Sequence, residues 1–498
     1  MLNEFPLKNP MTKEEYKDVA QELKTELSVL QHQIQDAKLP VIILFEGWGA
    51  AGKGTLISDM LQNLDPRSFK VHSTLPPTDE DKRRPWLYRH WCGIPEKGRI
   101  SILDRSWYPE ASLARLEDGL SEEASAERLR EINAFEHQLT DDGYLIIKFF
   151  LHISQKKQRK RLEKLADNPD TAWRATKLDW SRNKKYDRYC AVFDAMLEAT
   201  HTPAAPWHIL SGQEHYTARY EMYRILTDSI RSALAVKASA KVRKSRKPAA
   251  PREMPGFQLV SMPKLAEVTL DKALAQEEYK ELLKDRQRQI RELHNRLYKE
   301  KVPVIAVYEG WDAAGKGGNI KRLTAALDPR GYEVIPIASP SSTELAHHYL
   351  WRFWRALPKD GHVTIFDRTW YGRVMVERIE GFASETEWKR AYREINEFEE
   401  SLHNWGAVLL KFWLHIDPDE QLRRFQEREA IPEKNWKITA EDWRNRDKWE
   451  QYEIAVNDMI RLTSTDFAPW TIIESQDKRY GRIKAMDAFI RAVEEKLD

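Results

Sequence analysis

The chain has 498 residues, of which 80 are Lys or Arg and 78 are Asp or Glu, so its formal net charge is only +2. At about 150 residues per domain, this length predicts two to four domains. The balanced charge argues against a dedicated nucleic-acid-binding protein. Only two cysteines are present, which excludes a disulfide-stapled scaffold and a cysteine-rich zinc module. No apolar run approaches the roughly 18 residues of a membrane span and no secretory signal is recognisable, so we expect a soluble, cytoplasmic protein.

An internal duplication organises the chain. GWGAAGKG, beginning at Gly47, recurs as GWDAAGKG at Gly310, an offset of 263 residues. DRSWY at Asp104 recurs at the same offset as DRTWY at Asp367. A register kept over this distance predicts two full copies of one domain, because solenoid repeats are only about 20–50 residues long. We place the domains at 1–236 and 263–498, joined at 237–262 by a basic, proline-containing linker.

In chain order, each copy alternates apolar strands with helical stretches. The first copy begins with a long charged helix at 13–36, followed by strands at 40–45, 99–104, 144–150 and 207–210. The second repeats this order, with a helix at 276–301 and strands at 303–308, 362–367, 407–413 and 470–473. The alternation predicts an α/β fold with a parallel sheet covered by helices. The long helices could pack on the sheet or on another subunit, which leaves a homo-oligomer open.

The Gly-x4-Gly-Lys pattern lies between a buried strand and a helix, which is the context of a P-loop. Gly310, Gly315 and Gly317 allow the backbone to form a nest of N–H donors around phosphate, and Lys316 reaches further phosphate oxygens. The Ser or Thr that normally follows this lysine and binds Mg²⁺ is replaced by Gly317. The metal therefore needs other oxygen ligands. Asp367, at the end of an apolar strand, and Asp312, inside the P-loop, are the candidates.

Cations surround these carboxylates in the second copy. Arg368, Arg373 and Arg378 follow the strand that ends at Asp367, and a basic stretch from 423 to 446 reads as a mobile helical lid. Arginine forks suit phosphate oxygens, and phosphoryl transfer is catalysed mainly by positioning and charge neutralisation.

These motifs resemble a known family. EGWDAAGKGG from Glu309 and FDRTWYGRVMVER from Phe366 resemble the two signatures of family-2 polyphosphate kinases, and Phe398-Glu399, KFWLHI from Lys411 and APW from Ala468 match the rest of that pattern. The resemblance covers both copies. The duplicated arrangement resembles the fused members of this family, which are polyphosphate:AMP phosphotransferases.

The resemblance implies a P-loop kinase fold similar to thymidylate kinase, transferring the terminal phosphoryl group of inorganic polyphosphate to a nucleotide, most simply AMP, with Mg²⁺. It implies that Asp312 and Asp367 are catalytic and bind the metal, and that Lys316 and Arg368 are catalytic phosphate contacts. The remaining residues expected to bind phosphate or nucleotide are Gly310, Gly315, Gly317, Arg373, Glu377, Arg378, Arg424 and Lys437.

The first copy departs from this pattern. Gly49 replaces Asp312, Glu110 replaces Arg373 and Ala114 replaces Glu377, whereas Lys53, Asp104 and Arg105 are retained. A glycine cannot bind metal through a side chain, and a glutamate in place of an arginine repels phosphate. We therefore expect the first copy to be an inactive, structural or regulatory domain.

Two other functions stay open from the sequence. The same site could act on nucleoside diphosphates, in either direction, because no motif reports the room for one more phosphate. A P-loop NTPase coupled to a partner or to nucleic acid is a different class, although the near-neutral charge offers it little support. No partner in the membrane or among nucleic acids is expected.

Overall fold

The computed structural model describes residues 2, 4–7, 11–242, 256–431, 438 and 440–498. The chain divides into two compact units. The first unit comprises Met1–Pro76, Arg89–Arg246 and Ser342–His348, and the second comprises Pro77–Tyr88, Lys247–Ser341 and Tyr349–Asp498.

The first copy contains five strands within an α/β alternation. The strands are β1 (Val41–Gly47), β2 (Phe69–Ser73), β3 (Ile100–Asp104), β4 (Leu145–His152) and β5 (Trp207–Ser211). The helices are α1 (Lys13–Asp36), α2 (Lys53–Leu61), α3 (Tyr88–Cys92), α4 (Tyr108–Ala111), α5 (Ala114–Glu117), α6 (Glu122–Asp141), α7 (Gln155–Ala166), α8 (Lys177–Lys184), α9 (Tyr186–Thr200) and α10 (His215–Val242). Short 3-10 turns lie at Pro66–Ser68, Asp81–Arg83 and Ala172–Arg174.

The second copy repeats these elements. Its strands are β6 (Val304–Gly310), β7 (Tyr332–Pro336), β8 (Val363–Asp367), β9 (Val408–His415) and β10 (Trp470–Glu474). Its helices are α11 (Gln276–Glu300), α12 (Lys316–Thr324), α13 (Ser342–Leu345), α14 (Trp351–Arg355), α15 (Val376–Ile379), α16 (Glu385–Asn404), α17 (Pro418–Ala430), α18 (Ala440–Asp447), α19 (Trp449–Thr463) and α20 (Lys478–Leu497). Further 3-10 turns lie at Leu265–Glu267 and Trp370–Val374.

Each copy builds one parallel five-stranded sheet, and the two sheets have the same strand order. The orders are β2-β3-β1-β4-β5 and β7-β8-β6-β9-β10. In the second sheet, β6 pairs with β8 on one side and with β9 on the other, and all of its residues except the last are buried. The chain leaves β6 toward one edge and later returns to fill the other. This is the arrangement in which α/β sheets bind ligands at the carboxyl ends of their central strands. The predicted fold class and the tandem duplication are confirmed.

The long helix before each P-loop strand packs on a helix of its own unit. α11 contacts α20, and α1 contacts α10. The buried face of α11 is formed by Ile290, Leu293, His294 and Leu297 at helical spacing. The sequence left open whether these helices pack within the fold, and the structure shows that they do.

The structure describes both ends of the predicted linker at 237–262. Helix α10 continues to Val242, and residues 243–255 lie outside the described part of the chain. On the far side, Leu259 forms an antiparallel bridge with Thr465, and the Val260 amide donates to the carbonyl of Ser464 at 2.7 Å. Both ends of the predicted linker therefore belong to the folded units.

Candidate active site

The P-loop of the second unit follows β6 and opens α12. Gly310 has a φ of 148°, and a Cβ there would lie 2.6 Å from the Leu414 carbonyl oxygen, so the close approach to β9 requires glycine. Gly315 is left-handed and begins α12. The Lys316 ammonium donates to the carbonyls of Gly310 at 2.7 Å and Trp311 at 3.4 Å. The lysine is thus held over the loop, where the helix N-terminus favours an anion.

The second motif begins where β8 ends. Asp367 is the last residue of β8, and Arg368 follows with a φ of 65°, which is uncommon for a residue with a side chain. A backbone strained in this way is characteristic of functional sites. One Arg368 guanidinium nitrogen lies 3.6 Å from an Asp312 carboxylate oxygen, so the two motifs meet.

A cleft of about 420 Å³ lies between these motifs. It brings together the predicted residues Asp312, Gly315, Lys316, Gly317, Asp367 and Arg368. Its other lining residues are Trp311, Ala313, Gly318, Pro336, Ile337, Arg428 and Asp442. The lid residue Asp442 and the end of β7 were not singled out by the sequence, because nothing in their local pattern marks them.

The donor set of the cleft fits a hard divalent cation with few protein ligands. Asp312 and Asp367 line the same cleft, and Gly317 provides no hydroxyl. Within the described ranges, no group of three or more His, Cys, Asp or Glu side chains forms a metal cluster. Mg²⁺ is commonly bound by one or two carboxylates together with substrate phosphates and water, rather than by a full cage of protein ligands. Two carboxylates beside a P-loop fit that pattern.

Residues of the second motif belong to a buried network of hydrogen bonds and an ion pair. The Thr369 hydroxyl donates to Glu309 at 2.8 Å, and Tyr371 donates to Glu399 at 2.6 Å. The Lys411 ammonium donates to the same Glu399 carboxylate at 2.8 Å, with both side chains almost fully buried. Burial raises the pKa of Glu309 and lowers the pKa of Lys411. The motifs assign no individual role to Glu309 or Glu399. A charged residue within an apolar strand, such as Lys411, is nevertheless a signal for a buried ion pair.

Three predicted residues in the later part of the second motif lie outside the cleft lining. Arg373 pairs with Glu377 at 2.9 Å, and its guanidinium stacks over the Tyr349 ring at 4.5 Å. Arg378 donates to Asp458 at 3.0 Å and lies over Trp388. None of Arg373, Glu377 and Arg378 lines the cleft described above.

Arg424, which the resemblance assigns to phosphate or nucleotide binding, lies against the backbone of the P-loop. Its side chain is buried and donates to the P-loop carbonyls of Ala313 at 3.0 Å and Ala314 at 3.1 Å. It also donates to the Ser475 carbonyl and to the Glu420 carboxylate. Its guanidinium is thus bonded to the P-loop backbone, and Arg424 is not among the residues that line the cleft. Lys437, the other predicted lid residue, lies outside the described residues.

The first unit keeps the same framework. Lys53 donates to the carbonyls of Gly47 at 3.0 Å and Trp48 at 3.1 Å, as its counterpart does in the second unit. Arg105 has the same left-handed backbone as Arg368, with a φ of 63°. Lys148 and Glu136 form the same buried ion pair, at 2.7 Å. The scaffold of the site is therefore present in both units.

The charges of the first unit differ. A Cβ at Gly49 would lie 2.4 Å from a carboxylate oxygen of Asp179, so the lid helix α8 fills the space that a side chain would need. Glu110 forms an ion pair with Arg89 and lies 3.3 Å from His90. Burial, together with the nearby Arg105, lowers the pKa of the Lys53 ammonium to about 8.

Comparisons with known proteins show what the whole chain is similar to. The profile of the polyphosphate kinase 2 family matches residues 10–238 and 273–498. A polyphosphate:AMP phosphotransferase of Pseudomonas aeruginosa is 42% identical over 97% of this chain and 96% of its own length. One from Acinetobacter johnsonii is 34% identical over 96% and 95% of the two chains.

A solved structure and a shorter relative add to this. The crystal structure of a polyphosphate kinase 2 from Pseudomonas aeruginosa superposes with a TM-score of 0.86 and 38% identity over 100% of this chain and 99% of that one. A GDP-polyphosphate phosphotransferase of the same organism is 40% identical but matches only 38% of this chain and 54% of its own length. In the part of the chain that the structure describes, no helix is long and apolar enough to cross a membrane. The chain belongs to the polyphosphate kinase 2 family, with two tandem copies of the family's domain.

Proposed function

We propose that the chain transfers the terminal phosphoryl group of inorganic polyphosphate to AMP, giving ADP, and that the second unit performs this reaction. The observation that carries the proposal is the cleft that joins Asp312, Lys316, Asp367 and Arg368 on a P-loop. The relatives that match nearly the whole duplicated chain are named polyphosphate:AMP phosphotransferases.

Each of these four residues has a role that its chemistry supports. The P-loop amides and Lys316 would hold phosphate oxygens at the N-terminus of α12. Arg368 would neutralise charge on the transferred phosphoryl group from the opposite side of the cleft. Asp312 and Asp367 would hold Mg²⁺, which neutralises phosphate charge when bound. The proposed transfer breaks the terminal phosphoanhydride bond of polyphosphate and forms a bond to a phosphate oxygen of the acceptor.

The choice of acceptor is the finer part of the proposal. Relatives named GDP- or NDP-polyphosphate phosphotransferases match only 38% of this chain. Transfer to nucleoside diphosphates is therefore the second candidate, because the same phosphate site serves either acceptor. The full-length relatives favour AMP.

We further propose that the first unit does not catalyse transfer. Gly49 provides no carboxylate, and the Asp179 side chain occupies the space beside it. Glu110 neutralises Arg89 at the position where the second unit has Arg373. Phosphoryl transfer needs metal-binding carboxylates and charge-neutralising cations together. We therefore expect a unit that has lost residues of both types to be inactive.

The test is a direct assay of the purified chain with polyphosphate, Mg²⁺ and AMP, with ADP measured by chromatography. ADP and GMP replace AMP in parallel reactions, and ATP replaces polyphosphate as an alternative donor. We expect ADP from polyphosphate and AMP. ATP formation from ADP without conversion of AMP would support the second candidate, and no transfer from polyphosphate would refute both.

A further inference from the structure

The lid helix α18 reaches the P-loop through a side chain that no motif predicts. Asn445 lies in the second half of α18, and its amide nitrogen donates to an Asp312 carboxylate oxygen at 3.1 Å. The other Asp312 oxygen lies 3.6 Å from Arg368. The P-loop carboxylate is therefore held at both oxygens by groups from two separate elements.

Other contacts dock α18 independently of Asn445. Arg446 donates to the Pro418 carbonyl at 2.6 Å and to Gln421 at 3.2 Å. Lys448, just after the helix, donates to Glu380 at 2.8 Å, and Arg444 lies 3.7 Å from the same carboxylate. These cations hold the helix in place, so the Asn445 side chain is available to bind the Asp312 carboxylate.

The first unit provides an internal comparison. Gln421 donates to the Asp312 backbone carbonyl at 3.1 Å, and its counterpart Gln158 donates to the Gly49 carbonyl at 3.2 Å. The contact between the P-loop backbone and the glutamine of α17 or α7 is thus the same in both units. The side-chain link exists only where the P-loop carries an aspartate.

The residue equivalent to Asn445 has another task in the first unit. It is Arg182, which donates through two guanidinium nitrogens to Glu117, each at 2.8 Å. Glu117 is the counterpart of Glu380. Where there is no P-loop carboxylate to hold, this lid position serves as the anchor of the helix. In the second unit the anchor comes from Arg444 and Lys448 instead.

We propose that Asn445 is a positioning residue for the reaction of the second unit, where its amide holds the Asp312 carboxylate in its working orientation when the lid helix is docked. The proposal rests on the proposed function of this cleft. An amide suits the task because it donates a hydrogen bond without adding charge, so Asp312 keeps its full negative charge for a metal. Lid docking and placement of the carboxylate thereby become one event.

The kinetic test compares Asn445→Ala with the isosteric Asn445→Asp. Removing a partner that orients a metal ligand typically costs about 10- to 100-fold. We expect kcat of Asn445→Ala to fall by about that factor while KM for AMP stays within about twofold. Asn445→Asp should be worse than Asn445→Ala, because it sets a carboxylate against Asp312. If Asn445 had only a structural role, the isosteric Asn445→Asp should lower kcat less than Asn445→Ala does.

Two matched controls and a second isostere complete the set. Asp447→Ala changes an exposed side chain at the end of the same helix, and Arg182→Asn changes the equivalent position of the first unit. Both should keep kcat within about twofold. Asn445→Leu removes the donor at nearly the same size and replaces Asn445→Asp in the comparison if that variant does not fold.

Hydrogen exchange of the α18 amides tests the contact without turnover. Asn445→Asp should speed their exchange several-fold through like-charge repulsion, and Asp312→Ala in the same chain should abolish most of that effect. Asn445→Asp as active as Asn445→Ala, wild-type kcat in Asn445→Ala, or an exchange effect that persists without Asp312 would each overturn the proposal. If the wild-type chain makes no ADP, the proposed function fails, and the exchange comparison still decides whether Asn445 holds Asp312.

Discussion

Asp367 is one of the two aspartates proposed to bind the metal in the cleft of the second unit. It lies at the end of β8 and, with Asp312, completes the carboxylate pair, since Gly317 has no hydroxyl to offer a metal. We predict that Asp367→Asn lowers the rate of ADP formation on the order of a thousandfold, the size typical of electrostatic and metal contributions in such sites. Steady-state rates and a thermal unfolding midpoint close to that of the wild type check this.

The matched control is Asp104→Asn at the end of β3 in the first unit. It makes the same chemical change in the same structural context, and its rate should stay near wild type. Wild-type turnover in Asp367→Asn would contradict the assignment of Asp367.

Gly49 of the first unit lies directly beside the Asp179 carboxylate. Asp179 accepts from the Thr176 hydroxyl at 2.6 Å in a capping box, while its other oxygen fills the space beside Gly49. We predict that Gly49→Ala displaces this carboxylate and costs about 1 kcal/mol, the usual value of a lost helix cap. The thermal unfolding midpoint should fall by about 2–4 °C.

The same substitution in an Asp179→Ala background provides the control. There the collision is absent, so Gly49→Ala should be neutral or slightly stabilising, because alanine restricts the unfolded chain. If Gly49→Ala lowered the unfolding midpoint equally in both backgrounds, a clash between its Cβ and the Asp179 carboxylate would be refuted. The geometry also explains why Gly49→Asp alone is not expected to restore catalysis.

Single residues were predictable where a motif fixes their surroundings. Lys316, Asp367 and Arg368 lie in the cleft because a P-loop and a strand end must meet at the carboxyl edge of a parallel sheet. Asn445 and Asp179 could not be predicted in the same way. Their partners are more than a hundred positions away, and only the docking of the lid helix brings them together.

At the scale of elements, the second motif is hydrogen-bonded to a buried ion pair through Tyr371. Lys411 of β9 and Glu399 of α16 bind each other and Tyr371 beneath the turn that follows Arg368. Breaking one partner of such a pair commonly costs 3–5 kcal/mol, because the remaining charge is left buried. We predict that Glu399→Gln destabilises the protein by about that amount and lowers activity with it.

The double variant Glu399→Gln with Lys411→Met should recover much of this loss, because no buried charge remains. Denaturant unfolding of both variants measures the difference. A double variant as unstable as the sum of its single variants would show that the pair is not the source of the cost.

Strands were predicted according to how fully they are buried. The apolar runs that became the central strands β1, β3, β4, β6, β8 and β9 were found because both faces of a central parallel strand are covered. The edge strands β5 and β10, which keep several buried residues, were also predicted. The opposite edge strands β2 and β7 were not predicted, since every one of their residues is half-buried or exposed. The domain boundaries at 236 and 263 stay a prediction, with α10 continuing to Val242 on the first side.

At the scale of the whole molecule, one fold is used twice with different charges. Both units keep the strand order, the left-handed arginine after the second motif and the buried Lys–Glu pair. The duplication was predictable from the repeated motifs alone. The division of labour stays a proposal, which rests on three changed charged positions and is supported by the Asp179 carboxylate beside Gly49.

The most direct measurement of the central claim compares the two P-loop lysines in the full chain. Lys316→Ala and Lys53→Ala make the same change at equivalent positions. Each lysine donates to the equivalent carbonyl of its own P-loop, that of Gly310 or of Gly47. The rate of ADP formation from polyphosphate and AMP should be nearly abolished in Lys316→Ala and mostly retained in Lys53→Ala. Half of the wild-type rate remaining in Lys316→Ala, or a comparable loss in Lys53→Ala, would contradict the claim that the second unit alone performs the transfer.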